Sequence, residues 1–502
     1  MSDHAIRRIV IVGGGTAGWM AAAAFTSLLD RRDHDIVLVE SDEIGTVGVG
    51  EATIPPLQAF NHMVGIDEDQ FLAASQGTFK LGIEFVGWGA EGERYFHPFG
   101  PHGQDYRGVH FHQLYLRESR LRELPDIRQW SMSGVAAELG RFVRPAPDAP
   151  MPLPQLGYAF HFDAGLYAKF LRAHSERGGV RRIEGKIVDV RTGGESGHVE
   201  AVQLASGEMI EGELFIDCSG FRGLLIEEKL GTGYEDWGHW LPCDRAAAVP
   251  TRLSGPPDPF TRSTARSAGW QWRIPLQHRM GNGLVYSSAH LERDEAARLL
   301  LANLEGEPLA EPRHLSFTAG RRRLAWNANV VSLGLSSGFI EPLESTSIHL
   351  IQSGIAKLLS LFPSRGCDPL VAEQYNRVYR ADVESVRDFL ILHYHRTQGR
   401  DEPLWRHCQA MSLPDSLVYK EEQFVRTGRI VLDTDELFRE ASWFAVMMGQ
   451  GLDPADYNPL AETFSPEANA AYLLRLRTEI AAAARAAPTH EAFIEQRLAG
   501  GR

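Results

Sequence analysis

Cysteine is scarce in this chain, and its few copies are widely separated. None of them forms a Cys-x-x-Cys pair, and no histidine stands at zinc-finger spacing from them. Disulfide-rich domains and cysteine metal sites both need cysteines at short, regular spacings, so neither class fits. A reducing compartment is expected, and we predict a cytoplasmic location. The cysteines are Cys218, Cys243, Cys367 and Cys408.

Long apolar runs and an excess of positive charge are also lacking. No run of about 18 apolar residues occurs, so the sequence predicts no membrane-spanning helix. The apolar stretch 9–29 resembles a signal peptide, but its glycine cluster and its lack of a cleavage site favour folded structure. The formal net charge is -14; nucleic acids and anionic membranes select cationic surfaces, so neither is an expected partner. We interpret the basic run Arg321, Arg322 and Arg323 as solvated or phosphate-facing.

A glycine-rich turn near the start of the chain is the strongest cofactor signal. It follows the apolar residues 9–12, which predict a strand, and it opens a predicted helix over 17–29. A second predicted strand, 35–40, ends in an acidic residue about 20 positions beyond the last glycine, as in dinucleotide-binding folds. This context makes the turn far more specific than a glycine motif alone.

Each glycine of the turn has a physical role in binding a dinucleotide. Gly13 permits the tight turn, Gly15 lets the backbone approach a pyrophosphate, and Gly18 allows close helix packing. Glu40 can accept a hydrogen bond from a ribose hydroxyl and would repel a 2′-phosphate, which favours FAD or NAD over NADP. The turn alone leaves FAD and NAD open, and no second glycine-rich unit follows for a separate nicotinamide cofactor.

The rest of the chain alternates between strand-like and helical patterns. Residues 187–190, 199–204 and 214–217 predict strands of a β-meander, a common insertion in flavoprotein Rossmann folds. Asp163 is predicted to cap a helix that runs from 164 towards 173. Further predictions are a buried strand over 330–334 and helices over 348–361, 369–392 and 466–485.

The length and apolar content predict two subdomains built from discontinuous segments. Of the 502 residues 43% are hydrophobic, and the chain is longer than one ordinary core can organise. We predict an α/β fold in which a Rossmann-like FAD-binding domain takes residues 1–110 and 155–365. A mainly helical substrate domain is predicted to take residues 111–154 and 366–502.

Beyond the glycine turn, four blocks of residues stand out across nearly the whole chain. They are 48–55 (GVGEATIP), 77–82 (GTFKLG), 270–275 (WQWRIP) and 338–347 (GFIEPLESTS). Together they resemble the flavin-dependent tryptophan halogenases. The resemblance implies a Rossmann-like FAD domain of the flavin monooxygenase type with an inserted β-meander, and a mainly helical substrate-binding or lid domain.

The resemblance implies an oxygen-dependent halogenation that uses reduced FAD. In that family FADH2 from a separate flavin reductase, O2 and chloride or bromide yield hypohalous acid, which passes through an internal tunnel to an aromatic substrate. The expected partners are therefore the reductase and a small aromatic molecule. A homodimer is compatible with the resemblance.

The same resemblance assigns the chemistry to two short segments. Lys80 matches the lysine at the substrate end of the tunnel, where a desolvated amine can hydrogen-bond hypohalous acid or form a haloamine. Glu344 matches a carboxylate that can orient the halogenating species and accept the proton that the ring loses; its alternative role is to interact with the dipole of the following helix. Ser345 matches a serine that assists near the substrate. The amides of Thr346 and Ser347 match halide-binding positions, with Ser347 replacing the family's commoner glycine.

Further cofactor and substrate contacts are implied by the same blocks. Trp270 and Trp272 stand at period-two spacing, so both would point to one face of an extended segment. Their side chains would either pack in the core or form a barrier between the flavin and the tunnel. The implied FAD contacts are Gly13, Gly15, Thr16, Ala17, Gly18, Glu40, Ala52, Thr53, Val188, Asp217 and Gly334. The implied substrate and tunnel residues are Ile54, Pro55, Phe96, His97, Trp270, Trp272, Ile274, Pro275, Trp443 and Phe444.

Four histidines lie close together in the sequence: His97, His102, His110 and His112. The last two share a face if their segment is extended. Because no carboxylate or cysteine completes a known ligand spacing, we predict no metal site. We interpret the four as part of an aromatic wall with Tyr95, Phe96, Phe99 and Phe111.

The predicted lid segment decides the substrate prediction. Tryptophan users of the family carry a tyrosine pair and a nearby glutamate there, whereas residues 442–451 read SWFAVMMGQG. We therefore favour indole or an indole derivative over free tryptophan. Two alternatives stay open: a single-component flavin aromatic monooxygenase, which does not need Lys80, Glu344 and the 270–275 block together, and a non-enzymatic flavin-binding regulatory protein.

Overall fold

The computed structural model describes residues 5–43, 50–89, 92–146, 148–433 and 436–500. The chain divides into two compact units. The first unit consists of Met1–Gly77, Phe162–Gly238 and Phe317–Glu384. The second unit consists of Thr78–His161, His239–Ser316 and Ser385–Arg502.

The described strands and helices have the following bounds. The strands are β1 Arg8–Val12, β2 Asp35–Glu40, β3 Gly50–Ala52, β4 Thr78–Lys80, β5 Gly82–Val86, β6 Arg94–Pro98, β7 Ala159–Asp163, β8 Arg181–Glu184, β9 Ile187–Thr192, β10 Val199–Leu204, β11 Met209–Glu211, β12 Leu214–Asp217, β13 Tyr234–Asp236, β14 Arg245–Thr251, β15 Thr261–Arg266, β16 Gly269–Pro275, β17 Met280–Tyr286, β18 Arg313–Ser316, β19 Gly320–Arg322, β20 Trp326–Asn327, β21 Val330–Ser332 and β22 Gly338–Phe339. The helices are α1 Thr16–Leu28, α2 Pro56–Met63, α3 Glu68–Ala74, α4 Phe111–Leu121, α5 Met132–Glu138, α6 Ala164–Arg177, α7 Arg293–Ala302, α8 Ser347–Ser360, α9 Pro369–His395, α10 Pro403–Ala410, α11 Asp415–Thr427, α12 Glu440–Gly449, α13 Pro466–Ala486 and α14 His490–Gly500.

The first unit is organised around a six-stranded sheet of order β20-β21-β12-β1-β2-β8. Its strands run parallel except β20, and β1 pairs with both β2 and β12. The β1 residues 9–11 are completely buried, as expected for a central parallel strand covered on both faces. This is the Rossmann-like arrangement that the β1-α1-β2 pattern predicts, and it confirms the predicted fold class.

The β-meander of this unit differs from the prediction in one of its three strands. β9, β10 and β11 form a three-stranded antiparallel sheet, which confirms the strands predicted at 187–190 and 199–204. Leu214–Asp217 was assigned to the same meander, and that assignment is wrong. It pairs in parallel with β1, in the register Ile9↔Leu214, and so belongs to the Rossmann-like sheet.

Local signals place the helices of the sequence prediction well. Asp163 caps α6, because its Oδ1 accepts the amides of Gly165 and Leu166 at 3.0 and 3.1 Å. The predicted C-terminal helices agree with α8, α9 and α13 within three residues at each end. None of the described helices has the length and hydropathy needed to cross a bilayer.

The second unit contains a seven-stranded sheet of order β18-β14-β17-β16-β15-β5-β6. β5 joins β15 in parallel, with Ile83 opposite Thr261, and β16 pairs with neighbours on both edges. Residues 78–98 and 245–316 lie in the same compact unit as the C-terminal helices. The predicted boundaries at 110 and 365 placed both segments in the FAD domain instead.

The condition attached to one side-chain prediction is not met, and another prediction is wrong because of packing. His110 and His112 do not lie on an extended segment, because α4 begins at Phe111 and the two rings stack 5.7 Å apart around its first turn. Arg321 and Arg322 are not solvated. They are buried, and Arg321 pairs with Glu235 at 2.7 Å, while Arg322 has an acidic partner of its own in Glu227, at 2.9 Å.

Candidate active site

The glycine turn after β1 has the space that a pyrophosphate needs. A Cβ on Gly13, whose φ is +107°, would lie 2.3 Å from the carbonyl oxygen of Cys218, and one on Gly18 would lie 1.9 Å from that of Gly13. A Cβ on Gly15 would meet no atom within 4 Å. The helix α1 that follows has no side-chain cap and no acidic residue in its first turn. The open position and the uncapped helix N-terminus fit a bound dinucleotide phosphate.

Glu40, at the end of β2, is held by two arginines that sequence reasoning missed. Its Oε1 accepts Arg182 Nε and lies 3.5 Å from Arg172 Nη1. The carboxylate also lies against Gly14, where a Cβ would come within 1.4 Å of Glu40 Oε2. A ribose hydroxyl would therefore share the carboxylate with guanidinium groups. Their positive charge also weakens the argument that Glu40 excludes a 2′-phosphate.

Asp217, at the end of β12, has a structural task. Its Oδ1 accepts the amide and hydroxyl of Ser219 at 3.0 and 2.6 Å, and its Oδ2 accepts the amides of Leu225 and Ile226 at 2.8 and 2.9 Å. These four donors fill the acceptor capacity of a carboxylate that is completely buried. A flavin contact at this position would have to come from the backbone.

The other implied FAD contacts are divided between buried and exposed positions. Ala52, which ends β3, and Thr53, which follows it, are buried, whereas Gly48 and Val49 of the same block lie outside the described residues. Val188 on β9 is 58% exposed. Burial raises the pKa of Glu51, between Gly50 and Ala52, to about 7. Sequence reasoning did not single out Glu51.

Gly334 brings the helices α1 and α8 together near their N-terminal ends. It has a φ of +68°, and a Cβ there would lie 2.8 Å from the Cβ of Ala17 and 3.6 Å from Ile351 Cδ1. Only glycine fits this close approach without displacing α1. The turn after β21 is thus one place where the FAD-binding helix and the predicted halide-binding helix meet.

The predicted halide segment ends in the helix α8. Glu344 and Thr346 are completely buried, and Ser345 between them has a left-handed φ of +59°, which is uncommon for serine. α8 begins at Ser347 without a side-chain cap or an acidic residue in its first turn. The buried Oγ1 of Thr346 has no hydrogen-bond partner among the described residues. An uncapped helix N-terminus beside an unpaired hydroxyl suits a small anion.

Lys80 is not a surface lysine. It ends β4, pairs with Ala159 of β7 and is completely buried. Its Nζ lies 5.1 Å from the centroid of the Phe99 ring. An amine in this aromatic surrounding has been removed from bulk water, as the proposed chemistry requires.

The tryptophan block forms the strand β16, as its alternation predicts. Trp270 and Trp272 are 1% and 8% exposed, and their ring centroids lie 6.1 Å apart. The Trp272 ring covers Gly283 of β17, where a Cβ would come within 2.0 Å of it. Ile274 continues the same buried face, and Pro275, also buried, ends the strand on the opposite face. The two indoles therefore pack in the core of the second unit, whatever further role they have.

Aromatic rings of the second unit gather around two groups of the predicted substrate residues. His97 and Trp443 both pack on Phe389, with centroid distances of 5.6 and 4.9 Å. Phe444 contacts His102 at 6.3 Å and His112 at 5.4 Å. Phe96 instead packs on Phe260, 5.8 Å away.

His102 stands out in this wall, because neither of its ring nitrogens has a hydrogen-bond partner among the described residues. Burial, with His97 and His112 nearby, lowers the pKa of His102 to about 3, so the ring is neutral near pH 7. Within the described ranges, no three His, Cys, Asp or Glu side chains are arranged to hold a metal.

The fold and these residues define a class of protein: a flavin-dependent halogenase. The family model for tryptophan halogenases matches residues 8–466, and the chain belongs to this family. It is therefore an enzyme that performs flavin-dependent halogenation, and the use of FAD and a halide follows from the family.

Known relatives match almost the full length of the chain. Tryptophan 7-halogenase RebH of Lentzea aerocolonigenes is 33% identical over 492 residues, which cover 90% of this chain and 91% of that protein. Xcc4156, a flavin-dependent halogenase from Xanthomonas campestris, has a TM-score of 0.94 and 48% identity, with 98% of both chains covered. BrvH, a flavin-dependent halogenase from Brevundimonas sp. BAL3, has a TM-score of 0.94 and 45% identity, with 98% of this chain and 99% of that chain covered.

Proposed function

We propose that this enzyme halogenates indole or an indole derivative rather than free tryptophan, with reduced FAD, O2 and chloride or bromide. The observation that carries the proposal is the chemistry of the lid helix α12. Free tryptophan needs partners for its ammonium and carboxylate groups, whereas an indole needs an apolar wall. Trp443 and Phe444 are almost completely buried among other rings, which favours the apolar wall.

The polar residue that follows α12 supports the same substrate class. Gln450 donates from its Nε2 to the Tyr95 hydroxyl at 3.2 Å and to the His393 carbonyl at 3.1 Å. The amide nitrogen is therefore engaged by the protein, whereas the buried Oε1 has no hydrogen-bond partner among the described residues. Lys420 packs over the Trp443 ring, and its charge is balanced by an ion pair with Glu436 at 2.7 Å. Neither the Gln450 amide nitrogen nor the Lys420 amine is therefore free to bind the carboxylate of an amino acid.

The proposed roles of the reacting residues follow their surroundings. Bound reduced FAD would supply the two electrons that convert O2 and halide into hypohalous acid. Lys80, buried beside Phe99, would hold the halogenating species by a hydrogen bond or as a haloamine. Glu344 would accept the proton that the aromatic ring loses, and Ser345 would assist it. The amides of Thr346 and Ser347 would hold the halide at the start of α8.

The proposed partners are a separate flavin reductase and a small aromatic substrate. The reductase is inferred because the sequence contains one glycine-rich dinucleotide fingerprint, and FAD accounts for it. No second unit for NADH or NADPH is recognisable in the sequence, so reduced flavin would arrive from outside the chain.

The test is mass spectrometry of the products formed with reduced FAD, O2 and chloride or bromide. Indole, tryptophan and a phenol are offered separately. A halogen isotope pattern on indole, with none on tryptophan, is the expected result. Efficient halogenation of tryptophan would overturn the substrate proposal, and a product heavier by one oxygen would replace halogenation by monooxygenation.

A further inference from the structure

A buried chain of hydrogen bonds runs beside Lys80. Thr78 Oγ1 lies 2.7 Å from the Pro275 carbonyl oxygen and 3.0 Å from His161 Nδ1. On the other side of the ring, His161 Nε2 lies 2.9 Å from Thr261 Oγ1. Thr78 and His161 are completely buried and Thr261 is 4% exposed.

Counting protons fixes the direction of every bond in this chain. The Pro275 carbonyl can only accept, so the single hydroxyl proton of Thr78 is donated to it. Thr78 Oγ1 must then accept from His161, which places the proton of the ring on Nδ1. In a neutral imidazole Nε2 is left bare, and it accepts the hydroxyl proton of Thr261. One carbonyl therefore sets the tautomer of His161.

The chain connects the strand of Lys80 to the strand of the tryptophan block. Thr78 and Lys80 lie two residues apart on β4 and therefore point to the same face. On the neighbouring strand β7 their partners are His161 and Ala159. Pro275 ends β16 and Thr261 begins β15, so three hydrogen bonds join four strands.

The other edge of β4 is occupied by a second histidine. The amide of Phe79 donates to His490 Nε2 at 3.0 Å, and His490 Nδ1 donates to the Pro257 carbonyl at 2.8 Å. Both bonds again require a neutral ring protonated on Nδ1. With histidines on both edges, β4 has no freedom to shift without breaking a buried hydrogen bond.

We propose that His161 is a positioning residue: as a neutral imidazole protonated on Nδ1, it acts through Thr78 to hold Lys80 in place. This inference rests on the proposed role of Lys80. A protonated ring would also donate from Nε2, so the Thr261 hydroxyl would have to change from donor to acceptor, and the ring would add a positive charge near the Lys80 amine. Burial, with Lys80 and His490 nearby, holds the pKa of His161 well below its usual value, which keeps the ring neutral.

The first test compares T78V with T78S in the full-length enzyme. Valine has the shape of threonine but removes the hydroxyl, whereas serine keeps it. The measured quantity is the ratio of halogenated product to reduced flavin consumed, with a diffusible 1,3-diketone to trap any escaped oxidant. We expect this ratio to fall about tenfold in T78V, with more oxidant trapped, and to recover in T78S.

The outcomes separate this inference from the proposed function. If the wild-type enzyme halogenates no offered substrate but oxidant still reaches the 1,3-diketone, the substrate proposal fails. The amount of diketone halogenated per reduced flavin consumed then compares the variants, and it should be higher in T78V than in T78S. If wild type halogenates and T78V matches T78S at equal thermal stability, the positioning role is overturned.

The second test needs no flavin. Nitrogen-15 NMR of the histidine-labelled protein distinguishes protonated from bare ring nitrogens, and H161N identifies the signals of His161 by their loss. We expect a protonated Nδ1 and a bare Nε2 at neutral pH. A protonated Nε2, or a doubly protonated ring, would overturn the proposal whatever the activity of the variants.

Discussion

At the scale of single residues, Lys80 gives the sharpest expectation. The side chain is completely buried and its amine faces the Phe99 ring. Lys80→Met keeps most of the apolar stem and removes the amine. We expect halogenation to fall by about a hundredfold or more, because the group that would hold the halogen is gone. FAD affinity and flavin oxidation should persist, measured by fluorescence titration and absorbance.

The matched control for this substitution is Lys169→Met. Lys169 lies on α6 and is exposed, so the same chemical change there should leave the product yield unaltered. An unchanged yield in Lys80→Met would remove Lys80 from the reaction. Loss of FAD binding in the same variant would show instead that the substitution acts through the fold.

A sequence motif can predict which residue type lies in a site, but it does not predict the side chains that contact that residue. Lys80 and Glu344 were predicted from their blocks, and both are buried; their roles in the reaction stay predictions. The two arginines on Glu40 could not be predicted, since Arg182 reaches it from β8 through strand pairing. Asp217 was expected at the cofactor, yet its carboxylate is filled by four protein donors. Which contacts an acid makes depends on segments that only the fold brings together.

At the scale of elements, the N-terminus of α8 can be tested by a change of charge. Ser347 is the first residue of this helix, which has no acidic residue in its first turn. Ser347→Asp would stabilise the helix through its dipole but repel a halide at the same amides. We expect the KM for bromide to rise about tenfold relative to Ser347→Asn, which has the same size without the charge.

The Tm values of the two Ser347 variants show whether a difference in bromide KM comes from charge repulsion or from damage to the helix. The Tm of Ser347→Asp should equal or exceed that of Ser347→Asn, because the added charge lies at the positive end of the helix. Equal KM values in the two variants would place the halide elsewhere. FAD affinity serves as the internal control, since the flavin phosphate is assigned to α1.

Elements were predicted best where the signal is local. The glycine turn, the Asp163 cap and the helical periodicity of 466–485 each involve residues close in sequence, and α1, α6 and α13 agree with them. Leu214–Asp217 was recognised as a strand, but its sheet was mistaken. Its partner β1 is about 200 residues away, and a pairing across that separation leaves no mark on either strand. In the same way β5 pairs with β15, about 180 residues further along the chain.

At the scale of the whole molecule, the buried titratable groups are distributed unequally between the two units. In the second unit, burial lowers the pKa of His102 to about 3 and the pKa values of His112 and His490 each to about 4. In the first unit, burial lowers the pKa of His349 to about 4. Burial has the opposite effect on Glu51 there, raising its pKa to about 7.

These shifts predict that acid weakens the second unit first. A histidine with an ordinary pKa of 6.5 takes up a proton in the unfolded chain as the pH falls below that value, but these buried rings stay neutral until about pH 4. The unfolded state then binds more protons, so stability falls by about 1.4 kcal/mol per pH unit for each ring. Glu51 acts in the reverse sense, since its folded carboxyl is protonated first, and it offsets His349 in the first unit.

Hydrogen exchange at about pH 7 and about pH 5, corrected for the intrinsic rates, can follow the two units separately in one sample. We expect peptides from α4 and α14, which carry His112 and His490, to lose protection at the lower pH before peptides from β1 and α1. His102→Phe removes one buried imidazole that binds a proton only after unfolding. The loss of protection in the second unit should therefore begin at a lower pH in this variant. If β1 and α1 open first, the proton balance between the units is not controlled by these histidines, and the carboxylates must dominate instead.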